Sequence, residues 1–280
     1  MTARYADLGD GKLYYEIEGE GEPLVLCHAG FVDSRMWDGQ WKAFTQHYRV
    51  LRFDMRGFGK SDPVSGPVSR RQDLYCLLRK LGIERANLLG CSMGGEMAID
   101  FALEHPEIML SLVVVSSTPE GFEMQGETPS QVLEMLQANE QGDLERVSEL
   151  QISLWVDGIY RHPLQVEPHI RQRAAEMNRT AVENGTWGKA DAQPLNPLNP
   201  PAVGRLTEIN IPTLILAGSL DHLEVLRAAD LLANRIQGAK KIILSDSAHV
   251  LNMEKPAEFN RIVLDFLSYK AKNRYETSLT

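Results

Sequence analysis

The sequence predicts an α/β protein in which a mostly parallel central sheet has helices on both faces and carries an inserted helical cap. Two observations lead to this prediction. Short apolar runs bounded by turn residues alternate with longer segments that have apolar residues at three-and-four spacing, as strands joined by helical crossovers do. The alternation stops near Thr118 and resumes near Ile211, a gap far longer than one crossover needs.

The core elements are expected in a regular order. Apolar runs predict strands near residues 12–18, 23–28, 49–54, 86–91, 110–117, 211–217 and 240–245. Helical spacing of apolar residues predicts crossover helices at 36–48, 69–82, 93–105, 223–236 and 256–270. Because helices separate most of these strands, neighbouring strands are expected to run parallel.

The long gap predicts a cap formed by residues 119–205, with the α/β core formed by residues 1–118 and 206–280. Three stretches in the gap have helix-forming sequences, at residues 129–141, 143–158 and 168–185. The proline-rich segment QPLNPLNPPAV follows them, and it suits an extended return to the core because proline cannot continue a helix.

Composition and charge exclude several classes of protein. The 280 residues are 43% hydrophobic, which is enough for a substantial core, and the net charge of -9 argues against a nucleic acid partner. The longest apolar runs are too short to span a bilayer, and the amino terminus has no apolar signal core. We therefore expect a cytoplasmic protein, a monomer or a homodimer, with no membrane partner. Its three cysteines are widely separated, so no disulfide framework is expected.

The segment Gly90-Cys91-Ser92-Met93-Gly94 has the pattern G-x-S-x-G between a predicted strand and a predicted helix. In that context the small residues allow a sharp turn that exposes the serine hydroxyl, which predicts Ser92 as a nucleophile. The alternative is a structural serine in an ordinary glycine-rich connection.

A nucleophilic serine needs a base and a carboxylate that orients the base. Of the seven histidines, His249 lies in a loop directly after a predicted strand, at the carboxyl edge of the sheet where Ser92 is also expected. Asp221 follows another strand and is predicted to be the acid. Glu120, which follows the strand near residues 110–117, remains an alternative acid.

Four motifs in this order resemble those of the α/β-hydrolase family: LVLCHAGF (24–31), FDMRGFGKSD (53–62), GCSMGG (90–95) and SAHVLNMEKP (247–256). The resemblance implies that the backbone amides of Phe31 and Met93 form the oxyanion hole, although Ala29 stands where many members have glycine. We expect His28 to shape the oxyanion loop through hydrogen bonds. Asp54 and Arg56 are expected to form a buried ion pair that organises loops.

The resemblance implies two-step acyl transfer through Ser92, with no metal and no organic cofactor. The expected substrates are small or medium-sized carboxylic esters or lactones. Carbon-carbon bond hydrolysis and haloperoxidase-like esterase activity are alternatives within the family, and a ligand receptor with slow or no turnover is an alternative of another class. Candidate pocket residues are Phe122, Trp155, Trp187, Leu220 and Val250.

Overall fold

The centre of the computed structural model is one eight-stranded sheet within residues 4–277, the part of the chain that the structure describes; side chains are described through residue 269. The strands are β1 (Arg4–Asp7), β2 (Lys12–Glu18), β3 (Pro23–Cys27), β4 (Arg49–Phe53), β5 (Ala86–Cys91), β6 (Met109–Val115), β7 (Thr213–Gly218) and β8 (Lys240–Leu244). Their order in the sheet is β1-β2-β4-β3-β5-β6-β7-β8. The first two pairings, β1 with β2 and β2 with β4, are antiparallel, and the others are parallel. The predicted α/β fold with a mostly parallel sheet is confirmed.

The α-helices within the described residues are α1 (Asp38–Thr45), α2 (Arg70–Lys80), α3 (Met93–Glu104), α4 (Ser130–Glu140), α5 (Leu144–Ile152), α6 (Pro168–Asn184), α7 (Leu223–Arg235), α8 (Leu251–Glu254) and α9 (Pro256–Thr277). Successive side chains of a strand point to opposite faces of a sheet, so Leu88 and Leu89 of β5 enter two different apolar clusters. Helices α2, α3 and α7 pack on the Leu88 face, and α1 and α9 pack on the Leu89 face. Burial on both faces explains why β5 and β6 are apolar runs.

All seven predicted strands form, and β1 is an additional one. Its sequence RYAD is short, and three of its four residues are exposed, so it lacks the apolar alternation that identifies a strand. It forms because its backbone pairs with the edge of β2. Helix α8, only four residues long, is likewise absent from the sequence prediction.

The segment between β6 and β7 contains α4, α5 and α6. Helix α5 continues as a π-helical turn, Ser153–Asp157, and this turn ends at Gly158, where the backbone has a φ of 77°. One side of α6 places Ile170, Ala174 and Met177 in the same apolar cluster as Leu89. Helix α6 therefore packs against the apolar cluster on the Leu89 face of the sheet.

None of the described helices combines the length and apolarity needed to cross a membrane. Within residues 4–277, no group of three or more His, Cys, Asp or Glu side chains is arranged to hold a metal ion.

Candidate active site

Ser92 lies in a sharp turn between β5 and α3. Its φ of 53° and ψ of -121° are unusual for a residue with a side chain, and such strained backbone is concentrated at functional sites. The turn depends on two glycines. A Cβ on Gly90 would lie 2.1 Å from the carbonyl oxygen of Gly94, and a Cβ on Gly94 would lie 2.5 Å from the carbonyl oxygens of Cys27 and His28.

Hydrogen bonds on both sides of Ser92 hold this strained backbone. Its amide donates to the carbonyl oxygen of Val115 at 2.9 Å. Its own carbonyl oxygen accepts the amides of Gly95 and Glu96 at 2.8 and 2.9 Å, and the hydroxyl of Ser117 at 2.7 Å. The sequence reasoning missed Ser117, because a serine after a strand gives no sign of what its hydroxyl contacts.

His249 and Asp221 form a buried hydrogen-bonded pair. The Nδ1 atom of His249 lies 3.0 and 3.1 Å from the two carboxylate oxygens of Asp221. The amide of His222 also donates to this carboxylate, at 2.8 Å. A proton on Nδ1 leaves the lone pair on Nε2, and Nε2 is buried and makes no hydrogen bond to the described residues. The imidazole is thus arranged as a base.

Glu120, the alternative acid, has other partners. Its carboxylate accepts the amide of Leu198 at 3.2 Å, and its carbonyl oxygen accepts the amide of Val203 at 3.0 Å. It therefore joins the beginning of the segment between β6 and β7 to the end of that segment. Of the two candidate carboxylates, the structure brings Asp221 to His249.

The two backbone segments expected to form the oxyanion hole lie against each other. A Cβ on Gly30 would lie 3.1 Å from Sδ and 3.2 Å from Cβ of Met93, so the loop before Phe31 packs on the first residue of α3. The Nδ2 atom of Asn178, on α6, donates to the carbonyl oxygen of Phe31 at 2.8 Å. Asn178 is fully buried on an otherwise apolar side of its helix, and that polar residue among apolar neighbours is a signal the sequence offered.

His28 is neutral and structural. Burial lowers the pKa of His28 to about 4, although its hydrogen bond to the Ala29 carbonyl acts in the opposite direction. Its Nδ1–H donates to that carbonyl oxygen at 2.8 Å, while its Nε2 accepts the amide of Met55 at 2.9 Å. With both ring nitrogens in use, His28 joins the loop after β3 to the loop after β4.

This geometry agrees with the comparison to known families. The family model described as the alpha/beta hydrolase fold matches residues 22–256. The chain belongs to the alpha/beta hydrolase fold family. Its relatives include several kinds of hydrolase, and this protein is a hydrolase of that family.

Two curated relatives and one solved structure show the range of similar hydrolases. The 2-hydroxy-6-oxo-6-phenylhexa-2,4-dienoate hydrolase of Comamonas testosteroni is 29% identical over 93% of each chain. The pimeloyl-[acyl-carrier protein] methyl ester esterase of Aeromonas hydrophila subsp. hydrophila is 29% identical over 89% of this chain and 96% of the relative. The crystal structure of the enol-lactonase from Burkholderia xenovorans LB400 is 26% identical, with a TM-score of 0.78 over 95% of this chain and 100% of that chain.

The predicted pocket residues of this hydrolase occupy different environments. The Trp155 ring lies beside the His249 imidazole, with ring centroids 4.7 Å apart, and Leu220 immediately precedes Asp221. Val250 is fully buried in the apolar cluster that contains Leu89, as a core residue is. Phe122 lies 4.0 Å beneath the Arg227 guanidinium.

Trp187 is 56% exposed. Its neighbour Thr186 donates to the carbonyl oxygen of Gly57 at 2.7 Å, which ties this part of the chain to the loop after β4. No contact shown for the described residues brings Trp187 to His249, so its place in the pocket stays a prediction.

The prediction of an ion pair between Asp54 and Arg56 is wrong, because the two side chains have other partners. Arg56 pairs with Asp73 at 2.5 Å and with Asp10 at 2.9 Å. Asp54 instead accepts the amides of Ser34 and Lys60, at 2.9 and 2.8 Å.

Asp54 and Arg56 do not pair because the turn after β4 directs their side chains to different partners. Burial, followed by the nearby charge of Asp33, raises the pKa of Asp54 to about 6. Asp54 organises the loop around Ser34 through backbone amides rather than through a guanidinium.

Proposed function

We propose that this protein is a serine hydrolase that cleaves carboxylic esters or lactones of small to medium size through an acyl-enzyme on Ser92. The observation that carries the proposal is the hydrogen-bonded pair of His249 and Asp221 at the same sheet edge as the strained turn at Ser92. A serine hydroxyl is a weak nucleophile until a base accepts its proton. The buried pair provides that base.

In the first step, Nε2 of His249 takes the hydroxyl proton while Oγ of Ser92 bonds to the substrate carbonyl carbon. The carbonyl oxygen becomes an anion, and the amides of Phe31 and Met93 stabilise it by donating hydrogen bonds. The anion then collapses, the bond from carbon to the leaving oxygen breaks, and His249 gives its proton to that oxygen. An ester releases an alcohol, whereas a lactone keeps its new hydroxyl within the acyl group.

In the second step, a water molecule attacks the acyl-enzyme. His249 removes a proton from the water as its oxygen bonds to the acyl carbon, and a second oxyanion forms at the same amides. Its collapse breaks the bond to Oγ of Ser92, which recovers a proton from His249, and the carboxylic acid leaves. Asp221 stays ionised throughout and stabilises the imidazolium that forms twice in each cycle.

The surroundings of His249 support a preference for apolar acyl groups. Among the described residues, the aromatic rings of Trp155 and Phe31 lie beside its imidazole, with ring centroids 4.7 and 6.4 Å away. Phe31 belongs to the apolar cluster that contains Leu89, and α6 of the cap adds further apolar residues to that cluster. A pocket of this kind binds apolar groups through the area that it removes from water.

Carbon-carbon bond hydrolysis is the second candidate, and two kinds of relative favour it. The Comamonas testosteroni relative and a 30% identical hydrolase of Paraburkholderia phymatum are both named for dienoate or dienedioate substrates. Such substrates carry carboxylates, which need a cation or several donors when they leave water. The aromatic contacts of His249 supply no cation, so we favour esters and lactones.

Initial rates with p-nitrophenyl acetate, p-nitrophenyl butyrate, a simple lactone and a 2-hydroxy-6-oxo-dienoate compare these candidates directly. We expect steady-state turnover with the esters or the lactone at a kcat/KM at least about 100-fold above that for the dienoate. A higher kcat/KM for the dienoate than for the esters and the lactone would favour carbon-carbon bond hydrolysis instead. A stoichiometric burst with no turnover would indicate a receptor.

Ser92→Ala tests the nucleophile. Removal of the hydroxyl should lower kcat about 10⁴-fold or more while circular dichroism and thermal unfolding stay unchanged, because the alanine keeps the turn but cannot form the acyl-enzyme. Ser65→Ala, at an exposed serine in the loop between β4 and α2, is the matched control and should keep full activity. Activity that survives Ser92→Ala places the reaction elsewhere.

Asp221→Asn and Glu120→Gln separate the two acids. An amide at Asp221 cannot hold the imidazole in the required tautomer, so kcat should fall about 10³- to 10⁴-fold. Glu120→Gln keeps an acceptor for the Leu198 amide and should change kcat less than about threefold. A larger loss in Glu120→Gln than in Asp221→Asn would assign the acid role to Glu120.

A further inference from the structure

The segment Ser153–Arg161 of the cap touches both loops that carry the proposed base and acid. It begins as the π-helical turn after α5, reverses at Gly158 and ends at Arg161. Its first contact is the Trp155 ring, which lies at 38° to the His249 imidazole.

The second contact is made by backbone. A Cβ on Gly158 would lie 3.1 Å from Cβ of Ala248 and 3.2 Å from the carbonyl oxygen of Leu220. Ala248 immediately precedes His249, and Leu220 immediately precedes Asp221. The cap backbone therefore rests on the two loops one residue before each member of the pair.

The third contact is a buried ion pair. Arg161 donates from Nε to the carbonyl oxygen of Asp157 at 2.6 Å and from Nη2 to that of Val156 at 2.8 Å. Its Nη1 lies 2.5 Å from Oε2 of Glu254, and the two side chains are only 9% and 7% exposed. The guanidinium thus joins the end of the π-helical turn to α8.

The other carboxylate oxygen of Glu254 reaches the histidine loop. Its Oε1 accepts the amide of Ala248 at 2.8 Å. One carboxylate therefore bridges a cap guanidinium and the amide next to His249. A carboxylate in this bridge gains from both partners because charge-assisted hydrogen bonds are stronger than neutral ones.

A neighbouring ion pair keeps the same segment attached to the cap. Arg171 on α6 lies 2.7 Å from the carboxylate of Asp157, which is fully buried. The segment is therefore tied to α6, the helix whose Asn178 donates to the Phe31 carbonyl.

We propose that Arg161 and Glu254, together called the clamp, are positioning residues through which the cap holds the His249 loop in its hydrogen-bonded contact with Asp221. This inference rests on the proposed function of His249 as the base. The clamp acts through Ala248 and touches no reacting atom. Its loss lets the imidazole move, and a displacement of about 1 Å can lower a rate about 100-fold. We expect the loss to fall on kcat, because the clamp acts on the loop of the proposed base.

The experiment uses Arg161→Met, Glu254→Ala, Glu254→Gln and the double variant Arg161→Met/Glu254→Gln in the full chain. We expect kcat for p-nitrophenyl butyrate to fall about 10- to 100-fold in Arg161→Met and Glu254→Ala, with KM within about threefold of wild type. Glu254→Gln still has an oxygen for the Ala248 amide and should recover part of the loss. The double variant should lose less than the product of its two single losses, because the two residues act as one unit.

Arg146→Met is the matched control. Arg146 lies on α5 of the same cap and pairs with Glu134 and Glu149, but all three side chains are exposed. Loss of this pair should leave kcat unchanged, since surface ion pairs contribute little. If Arg146→Met lost as much kcat as Arg161→Met, the proposed role of the clamp would be overturned. Both losses would then reflect a general decrease in the stability of the cap.

The second readout does not depend on turnover. The proton on Nδ1 of His249, assigned by its absence in His249→Gln, should give a downfield resonance in the NMR spectrum of wild type and of Arg146→Met. We expect it to broaden or disappear in Arg161→Met and Glu254→Ala. If Arg161→Met does not fold, Arg161→Lys and Glu254→Gln give the same comparison.

Wild-type kcat together with an unchanged resonance in the clamp variants would overturn the inference. Absence of turnover in wild type would instead contradict the proposed function, and the resonance would still report whether the clamp holds His249. The two failures are therefore distinguishable.

Discussion

The loops of the candidate active site and the segment between β6 and β7, which we propose to be a cap, are held by different kinds of contact. In the core, backbone lies on backbone at glycines: a Cβ on Gly90, Gly94 or Gly218 would lie within 2.5 Å of a backbone carbonyl oxygen. Between the core and the cap, buried arginines of one part reach carboxylates of the other, as in the pairs of Arg70 with Asp191 and Arg161 with Glu254. The loops of the candidate active site are therefore fixed by backbone shape, and their junctions with the cap are fixed by charge.

This difference explains which parts of the molecule a sequence can reveal. A backbone-to-backbone contact permits only glycine, so it leaves a motif such as G-x-S-x-G. An ion pair can form between any of 29 Lys and Arg residues and any of 38 Asp and Glu residues, so it leaves no local pattern. Variants that disturb a backbone contact or remove a buried charge test this difference between the two regions.

Gly94→Ala should have the largest effect. Its new Cβ would meet the carbonyl oxygens of Cys27 and His28 at 2.5 Å, and backbone atoms on both sides must move. We expect the free energy of unfolding to fall by about 3 kcal/mol, at the upper end for overpacking. Because the loop of Phe31 moves too, kcat should fall about 100-fold or more. Urea unfolding and ester turnover measure the two losses.

Gly188→Ala in the cap is the control, since a Cβ there meets nothing within 4 Å. It lies in a helical turn, where alanine is favoured over glycine, so stability should be unchanged or rise by about 0.5 kcal/mol. Equal losses in the two glycine variants would contradict the contrast between core and cap.

Arg70→Met should have an intermediate effect, confined to the cap. Arg70 on α2 makes two hydrogen bonds to Asp191, at 2.6 and 2.9 Å, and both side chains are largely buried. Removing one partner leaves the other charge unpaired, so we expect a loss of about 2 kcal/mol. Limited proteolysis should show faster cleavage within residues 119–205.

The double variant Arg70→Met/Asp191→Leu should recover most of that stability, because it leaves no unpaired charge. No recovery would mean that Arg70 acts through its other contacts, the Arg56 carbonyl and the Phe58 ring, rather than through the ion pair.

Asp100→Asn should have the smallest effect, and the effect depends on pH. Asp100 on α3 is a buried core carboxylate whose nearest cation, Arg71, is 3.5 Å away. Burial, followed by the charges of Glu120 and Glu96, raises the pKa of Asp100 to about 8. Because this exceeds the value of about 3.9 in an unfolded chain, the folded state binds the proton more tightly, and stability falls as pH rises from 4 to 8.

An asparagine at position 100 carries no charge and removes that dependence. Asp100→Asn should equal wild type near pH 4 and exceed it at pH 9, by about 1 to 2 kcal/mol. Thermal unfolding at the two pH values measures the difference. Glu107→Gln, at an exposed carboxylate, should follow wild type at both. An equal gain for Asp100→Asn at pH 4 and pH 9 would contradict an ionisation effect.

Much of the fold, and the contact of Asp221 with His249 in the candidate site, could be predicted for a physical reason. Strands β3, β5, β6 and β7 are apolar runs because helices cover both faces of the sheet there. Strand β1 instead depends on backbone pairing with an edge. Ser92, Asp221 and His249 each follow a parallel strand, and carboxyl ends of parallel strands meet at one edge.

The supporting contacts could not be predicted. Ser117, Asn178 and Arg161 act on backbone carbonyls that are distant in sequence or hidden in a turn. Asp54 and Arg56 were paired because they are close in sequence, but the direction of a loop decides which partners a charged side chain reaches. Long side chains that cross between core and cap are set by tertiary packing alone.

Glu120 gives the hydrolase a modular design. The amides of Leu198 and Val203 both bind this one residue, so the path that leaves β6 and the path that returns toward β7 meet at a single point. A segment whose two ends are adjacent can be exchanged for another without separating the strands beneath it. A relative's cap grafted between Glu120 and Val203 would thus bring a new pocket to the same Ser92, His249 and Asp221.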